Sequence, residues 1–160
     1  MKGQPIIVFS DIHGDAPALL AVLKASRDFK AGLALFAGDW GDLDPGMEMM
    51  LQNRTCPLVQ VRGNCDSPAQ PLFQELCQNG WRILMYHGHR ILEAQENFDL
   101  VITGHTHCSR LVKEGSAIYL NPGSASRPRD SQGPSFALVY EDEILVLRLA
   151  DCGIIKRCQR

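Results

Sequence analysis

The sequence predicts an α/β fold, and three observations support this prediction. The first 65 residues alternate between short apolar runs and amphipathic stretches, which is typical of alternating strands and helices. The first apolar run, Ile6 to Ser10, is rich in β-branched residues and stops abruptly at Asp11, as buried strands do. The composition, with 45% hydrophobic and 21% charged residues among 160, is that of an ordinary globular domain. We therefore expect a single domain over residues 1–160.

The first half of the chain predicts βαβ units. The run from Ile6 to Ser10 predicts a strand buried on both faces. The period then changes, and Asp15 to Phe29 predicts an amphipathic helix with Asp15 as its N-cap and Pro17 in its first turn. The remaining predicted elements of this half are the strand Leu33 to Ala37, the helix Pro45 to Asn53 and the strand Pro57 to Val61.

The second half predicts strands with one short helix. Trp81 to Tyr86 and Leu100 to Thr103 predict buried strands, and Ile91 to Glu96 a short helix between them. Strands at about 110–114, 117–121, 135–141 and 143–149 predict a meander. The C-terminal hairpin, Ile144 to Leu149, either covers the sheet or forms a dimer edge, so a homo-oligomer stays open. The polar loop from Ser124 to Pro134 is the predicted mobile segment.

Charge and cysteine content exclude several classes of protein. The net charge is −2, so no basic excess predicts a strong nucleic-acid surface or a polybasic membrane patch. No run approaches the roughly 20 apolar residues of a membrane span. The six cysteines include no C-x-x-C pair, and the apolar run at the N-terminus reaches Asp11 too soon for a signal peptide. We expect reduced thiols and a cytoplasmic protein that does not bind membranes.

Five predicted strands in succession end at Asp, Asn or His residues, usually beside a glycine. A single such residue is better explained as a helix cap or a buried histidine, but five together favour a metal site. All five histidines of the chain lie in these positions. Carboxylate and amide oxygens with imidazole nitrogens suit Mn²⁺, Fe²⁺ or Zn²⁺. Seven candidate ligands are enough for two ions that share one carboxylate: Asp11, His13, Asp39, Asn64, His87, His105 and His107.

Five short motifs, in this order, carry a family resemblance: "DIHGD", "GDWGD", "GNCD", "HGH" and "GHTH". With "NPGS" at Asn121 to Ser124, the chain resembles the calcineurin-like metallophosphoesterases, and among them the small single-domain phosphodiesterases of bacteria and archaea. The resemblance implies a four-layer α/β/β/α sandwich of the metallophosphoesterase type. It also implies two metal ions: one on Asp11, His13 and His107, one on Asn64, His87 and His105, with Asp39 bridging both.

The resemblance further implies a metal-dependent phosphoesterase that hydrolyses small phosphodiesters with a hydroxide bridging the two ions. Asp39, Asn64 and His105 are the residues it places in catalysis. Manganese is the leading candidate ion, with iron, zinc, nickel and magnesium as alternatives. Two other functions stay open: a phosphomonoesterase acting on nucleotides or proteins, and a protein-binding scaffold like the retromer subunit that resembles this family.

Four further polar residues are candidates for supporting or substrate-contacting roles. Asp42 and Asp66 are expected to orient ligand imidazoles or a loop. Cys65 stands where many relatives carry a histidine, and is either a poor proton donor or a small buried filler. His89 either contacts substrate or lies outside the ligand shell.

Three more residues leave two interpretations each. Trp40 either walls the pocket or packs in the core. Arg127 and Arg129 either meet a phosphate or are solvated surface charges.

Overall fold

The strands of this computed structural model, which describes residues 3–92 and 95–160, form two sheets. One sheet has the order β11-β10-β9-β1-β2-β3 and the other the order β4-β5-β6-β8-β7. The elements are β1 (Ile6–Phe9), α1 (Ala16–Asp28), β2 (Leu33–Phe36), α2 (Pro45–Gln52), β3 (Leu58–Gln60), β4 (Phe73–Gln78), β5 (Trp81–Tyr86), a 3₁₀ helix (Gln95–Asn97), β6 (Leu100–Ile102), β7 (Arg110–Glu114), β8 (Ala117–Asn121), β9 (Ser135–Val139), β10 (Glu143–Arg148) and β11 (Ile154–Gln159).

The first sheet contains the predicted βαβ units. Its strands β1, β2 and β3 are parallel, and β9 joins β1 in antiparallel orientation. Both α-helices pack against one face of this sheet, where Leu19, Val22 and Met47 meet Phe9 and Phe36. The helix caps fix where the helices start: Asp15 accepts from Ala18 N at 2.9 Å, as predicted, and Asp44 accepts from Met47 N at 2.8 Å.

The other face of the first sheet packs on the second sheet. Side chains alternate along β1, so Ile6 and Val8 point away from the helices and meet Ile83, Ile102 and Leu120 of the second sheet. In the second sheet β5, β6 and β8 are parallel, while β4 and β7 are antiparallel edge strands. The two face-to-face sheets confirm the predicted sandwich. After Gln52 the described residues form one 3₁₀ helix and no α-helix.

The predicted meander is wrong. The hairpin β7–β8 belongs to the second sheet, whereas β9 and β10 belong to the first. Turn and strand patterns are local signals and do not say which of two sheets a hairpin joins. The predicted C-terminal hairpin lies inside the first sheet, because β10 pairs with β9 on one side and with β11 on the other.

Two strands were missed, and one helix was only partly identified. β4 and β11 are edge strands with largely exposed or half-exposed side chains, so their sequences lack the apolar run of a buried strand. The predicted helix Ile91 to Glu96 corresponds to the 3₁₀ helix Gln95–Asn97, and residues 93 and 94 lie outside the described residues. Within the described residues, no helix has the length and apolar character needed to cross a membrane.

Candidate metal centre

Three candidate ligands, which we name the first donor group, converge from two loops. These residues are Asp11 and His13, which follow β1, and His107, which follows β6. His107 Nε2 lies 3.2 Å from Asp11 Oδ1 and 3.1 Å from His13 Nε2. His13 Nε2 lies 3.7 Å from Asp11 Oδ1. Three donor atoms therefore surround one point.

The second donor group consists of Asn64, His87 and His105. The Asn64 Oδ1 atom lies 3.1 Å from both His87 Nε2 and His105 Nδ1. Asp39 lies between the two groups: its Oδ2 atom is 3.7 Å from His13 Nε2 and 3.4 Å from His87 Nε2. All seven predicted ligands therefore meet in one continuous cluster.

The spacing of these donor atoms suits a bound cation. Ligands about 2.1 Å from one ion lie roughly 3.0–3.4 Å apart in octahedral or tetrahedral arrangements. The described structure leaves the buried Asp11 Oδ1 atom without a hydrogen-bond partner. A buried carboxylate oxygen without a partner costs free energy unless a positive charge meets it. The site therefore fits a divalent ion at this oxygen.

The tautomers of two histidines also indicate a bound cation. His87 Nδ1 lies 2.6 Å from the Ala37 carbonyl oxygen, and His107 Nδ1 lies 2.7 Å from that of Arg127. A carbonyl only accepts, so each Nδ1 carries the hydrogen and a neutral ring presents its Nε2 lone pair to the cluster. For His87 that lone pair faces the oxygens of Asn64 and Asp39. Three acceptor atoms that face one another in this way need a positive charge between them, from a metal ion or a proton.

Backbone strain is concentrated at the same residues. Five of the seven candidate ligands have positive φ angles, between 48° and 69°: Asp11, His13, Asp39, His105 and His107. Each such non-glycine residue costs on the order of 1 kcal/mol, and strain of this kind clusters at functional sites. Gly63 lets the backbone come close to the Asp39 carboxylate, because a Cβ atom at this position would overlap that carboxylate.

Hydrogen bonds from neighbouring loops fix the first donor group. Ser124 Oγ and Ser126 Oγ donate to the Asp11 carbonyl oxygen at 2.8 and 2.7 Å. His105 N donates to Asp11 Oδ2 at 3.1 Å, so only the other carboxylate oxygen is left for a cation. Sequence reasoning assigned no role to either serine, and the "NPGS" motif was the signal that could have found Ser124.

Asp66 supports Asp39 through the backbone. Its carboxylate accepts three N–H groups, from Asp39 and Trp40 at 2.7 Å and from Gly63 at 2.8 Å. Asn121 supports a second loop: its Nδ2 donates to the Gly104 carbonyl at 2.8 Å and so holds the loop that carries His105 and His107. These contacts join loops that are far apart in the chain.

The pKa values of Asp39 and His87 reflect a site arranged for positive charge. Burial acts to raise the pKa of Asp39, but hydrogen bonds from His87 and the Cys65 N–H outweigh it and lower this pKa to about 2. Burial acts to lower the pKa of His87, but the Asp39 carboxylate and the Ala37 carbonyl outweigh it, and the pKa is raised. The pKa of His13 is lowered, chiefly by burial.

Comparison with known proteins gives the family of the chain. The profile described as "calcineurin-like phosphoesterase superfamily domain" matches residues 5–143. The chain belongs to the calcineurin-like phosphoesterase superfamily. Membership in this superfamily makes it a hydrolase that acts on phosphoester bonds.

Among its relatives, the phosphodiesterase YfcE of Escherichia coli K12 is 29% identical over 172 aligned positions, covering 91% of this chain and 92% of that protein. A solved structure of this E. coli phosphoesterase superposes with a TM-score of 0.86 at 26% identity, covering 97% of this chain and 98% of the other. Wild-type Vps29 from Entamoeba histolytica, solved in complex with Zn²⁺, has a TM-score of 0.74 at 20% identity. Coverage is 98% of this chain and 99% of Vps29, and this likeness concerns the fold alone.

The remaining predicted residues of this phosphoesterase lie in different surroundings. The Asp42 side chain is exposed, and no hydrogen bond joins it to a candidate ligand within the described residues. Cys65 is exposed, so its interpretation as a buried filler is wrong; burial of part of its thiol and the Asp39 charge raise its pKa. Trp40 packs in the core, stacked on Phe36 with 3.6 Å between ring centroids.

His89 lies beside the second donor group rather than inside it. Its ring centroid is 5.4 Å from that of His87 and 6.2 Å from that of His105. Its Nδ1 atom is buried without a hydrogen-bond partner in the described structure. Burial, with smaller contributions from neighbouring cationic groups, lowers its pKa.

An open cleft of about 430 Å³ gives access to the cluster. The candidate ligands at its floor share it with the exposed Cys65 and with the loop that contains Arg127, Pro128 and Arg129. Both arginines are exposed and belong to residues that line the cleft, which favours the first of their two interpretations.

Proposed function

We propose that this phosphoesterase is a phosphodiesterase that uses two divalent metal ions. The observation that carries the proposal is the convergence of seven oxygen and nitrogen donors from five strand ends, joined by the shared Asp39. A structural zinc site closes four ligands around one ion, whereas this cluster has too many donors for one closed shell. The E. coli relative named a phosphodiesterase supports the same reaction class.

Each donor has a separate part in this mechanism. The first donor group holds one ion and the second group holds the other, while Asp39 takes a position between them. When bound, the ions polarise the phosphoryl oxygens and activate the attacking water. Asn64 and His105 are exposed or half-exposed donors on the cleft side, so they are the donors that would lie next to a phosphoryl group bound there. Asp66 and Ser124 keep the ligand loops in place.

A phosphodiester is favoured over a monoester by the openness of the cleft. The cleft floor is formed by short loops that follow the strands, and both substituents of a diester can extend along it. The scaffold function is less well supported, because the chain superposes better on the E. coli phosphoesterase, with a TM-score of 0.86, than on Vps29, with a TM-score of 0.74. The donor set of imidazoles, carboxylates and an amide accepts Mn²⁺, Fe²⁺ or Zn²⁺. We propose Mn²⁺ as the working ion and the cytoplasm as the place where the protein works.

The decisive experiment is hydrolysis of bis(p-nitrophenyl) phosphate with Mn²⁺. Asp39→Asn should lower kcat/KM by about 10³-fold or more, because it removes the negative charge of the carboxylate that lies between the two donor groups. Asp42→Asn is the matched control: it makes the same change three residues away on an exposed side chain, and its kcat/KM should stay within about twofold. Absence of turnover with Mn²⁺, Fe²⁺, Zn²⁺, Ni²⁺ or Mg²⁺ would contradict the proposal.

A further inference from the structure

The segment from Arg127 to Arg129 forms one wall of the cleft above the candidate metal centre. We propose that Arg127 and Arg129 bind a second phosphate group of the substrate, so that the natural substrate is a phosphodiester with a further phosphate on one of its ester substituents. This inference rests on the proposed function and concerns the same site.

The backbone of this wall is tied to a candidate ligand on both sides. The Arg127 carbonyl oxygen accepts from His107 Nδ1 at 2.7 Å, and Arg129 N donates to the His107 carbonyl at 2.9 Å. Arg127 N also donates to Ser124 Oγ at 2.8 Å, and Pro128 restricts φ between the two arginines. The two side chains therefore start from an anchored backbone next to the donors. This anchoring lowers the backbone entropy lost when the segment holds an anion.

No acidic side chain neutralises the two arginines. Within residues 3–92 and 95–160, neither guanidinium has a hydrogen bond or ion pair with a protein group. The nearest acid in sequence, Asp130, is occupied by the N–H and hydroxyl of Ser109 and by the N–H of Gln132. Other exposed arginines of the chain, such as Arg82 and Arg148, do pair with carboxylates.

The charges of the working site indicate what these arginines meet. Two divalent ions bring four positive charges, which are balanced by Asp11, Asp39, one attacking hydroxide and the single negative charge of a diester. The donor cluster and a simple diester thus leave no negative charge for two further cations on the same wall. A terminal phosphate, which carries up to two negative charges, restores the balance, and guanidinium groups bind phosphate oxygens in bidentate fashion.

Calorimetry with the Mn²⁺-loaded protein tests this inference without relying on turnover. The two ligands are thymidine 5′-monophosphate and thymidine 3′,5′-bisphosphate, which differ by one phosphate and can place either end on the ions. The wild type should bind the bisphosphate about tenfold more tightly, as expected for one charge-assisted contact. The double variant Arg127→Ala, Arg129→Ala should lose this preference and keep its affinity for the monophosphate. It retains every main-chain bond to His107 and Ser124, and an unchanged melting temperature confirms its fold.

The matched control removes two arginines elsewhere. Arg27 and Arg54 are exposed and lie near the carboxyl ends of α1 and α2, away from the donor loops. Arg27→Ala, Arg54→Ala changes the net charge equally and should keep the preference for the bisphosphate. Equal affinities of the wild type for both ligands, or an equal loss in both double variants, would overturn the inference. If the preference holds but bis(p-nitrophenyl) phosphate is not cleaved, the proposed function falls and the anion site stands.

Discussion

The two donor groups differ in how deeply they are buried and how firmly they are held. In the first group Asp11 is 0% and His107 is 6% exposed, and two serines and a backbone N–H hold Asp11. In the second group His87 is buried, but Asn64 is exposed and His105 is half-buried. Asn64 Nδ2 contacts only the sulfur of Cys65 among the protein groups described.

The difference in burial suggests a different role for each donor group. A buried donor set whose carboxylate is held by three hydrogen bonds loses little freedom when an ion binds, so the first group is arranged for tight binding. An open donor set keeps room for solvent and for a phosphoryl oxygen, so the second group is arranged for exchange of ligands during the reaction. We therefore expect the first ion to bind more tightly than the second.

The largest expected effect comes from removing one histidine from each group. His107→Ala should lower the affinity for the first ion by about 10³-fold, because it removes the buried donor that lies next to Asp11 Oδ1. His105→Ala should release the second ion and retain the first, giving about one Mn²⁺ per chain after dialysis. Metal content measured by mass spectrometry distinguishes the two. Loss of both ions from His105→Ala, with retention of one by His107→Ala, would reverse the comparison.

A smaller effect is expected at Asp66, which supports the residue between the groups. Asp66→Asn places an amide NH₂ opposite backbone N–H donors, so at least one of three hydrogen bonds is lost. We expect about 10–100-fold weaker metal binding and a loss of about 1–3 kcal/mol in the free energy of unfolding of the metal-free protein. Ser67→Ala is the neighbouring control, and urea unfolding is the measurement. A loss confined to one ion would show that Asp66 does not act through Asp39.

The seven candidate donors could be predicted from the sequence because each follows a predicted strand, and parallel strands bring their carboxyl ends to one edge of a sheet. The donors follow strands of both sheets, so their convergence also depends on how the two sheets pack together. The groups that orient them could not be predicted. The carbonyl oxygens of Ala37 and Arg127 fix two tautomers, and no residue type encodes a carbonyl position. Positive φ at Asp11 or His105 likewise depends on contacts between distant loops and not on local propensity.

The limits of prediction are similar at the level of the fold. Continuous apolar residues predict buried strands such as β1, and the bounds of these strands were predicted within about two residues. The edge strands β4 and β11 bury little and carry no such signal. The division of β7 to β10 between two sheets depends on which faces pack together, which is a property of the whole chain.

The smallest expected effect is the order in which the ions leave as the pH falls. A proton on Nε2 of His87 occupies the position that the second ion needs, and the raised pKa means that this proton competes even above the ordinary value of about 6.5. The lowered pKa of His13 means that a proton competes for this donor of the first group only below that value. Lowering the pH from 8 should therefore release the second ion before the first, in two steps seen by calorimetry or by the electron paramagnetic resonance of bound Mn²⁺. His105→Ala, which we expect to hold the first ion alone, should show only the step at lower pH. Simultaneous release, or release of the first ion at the higher pH, would mean that burial does not set the difference between the two groups.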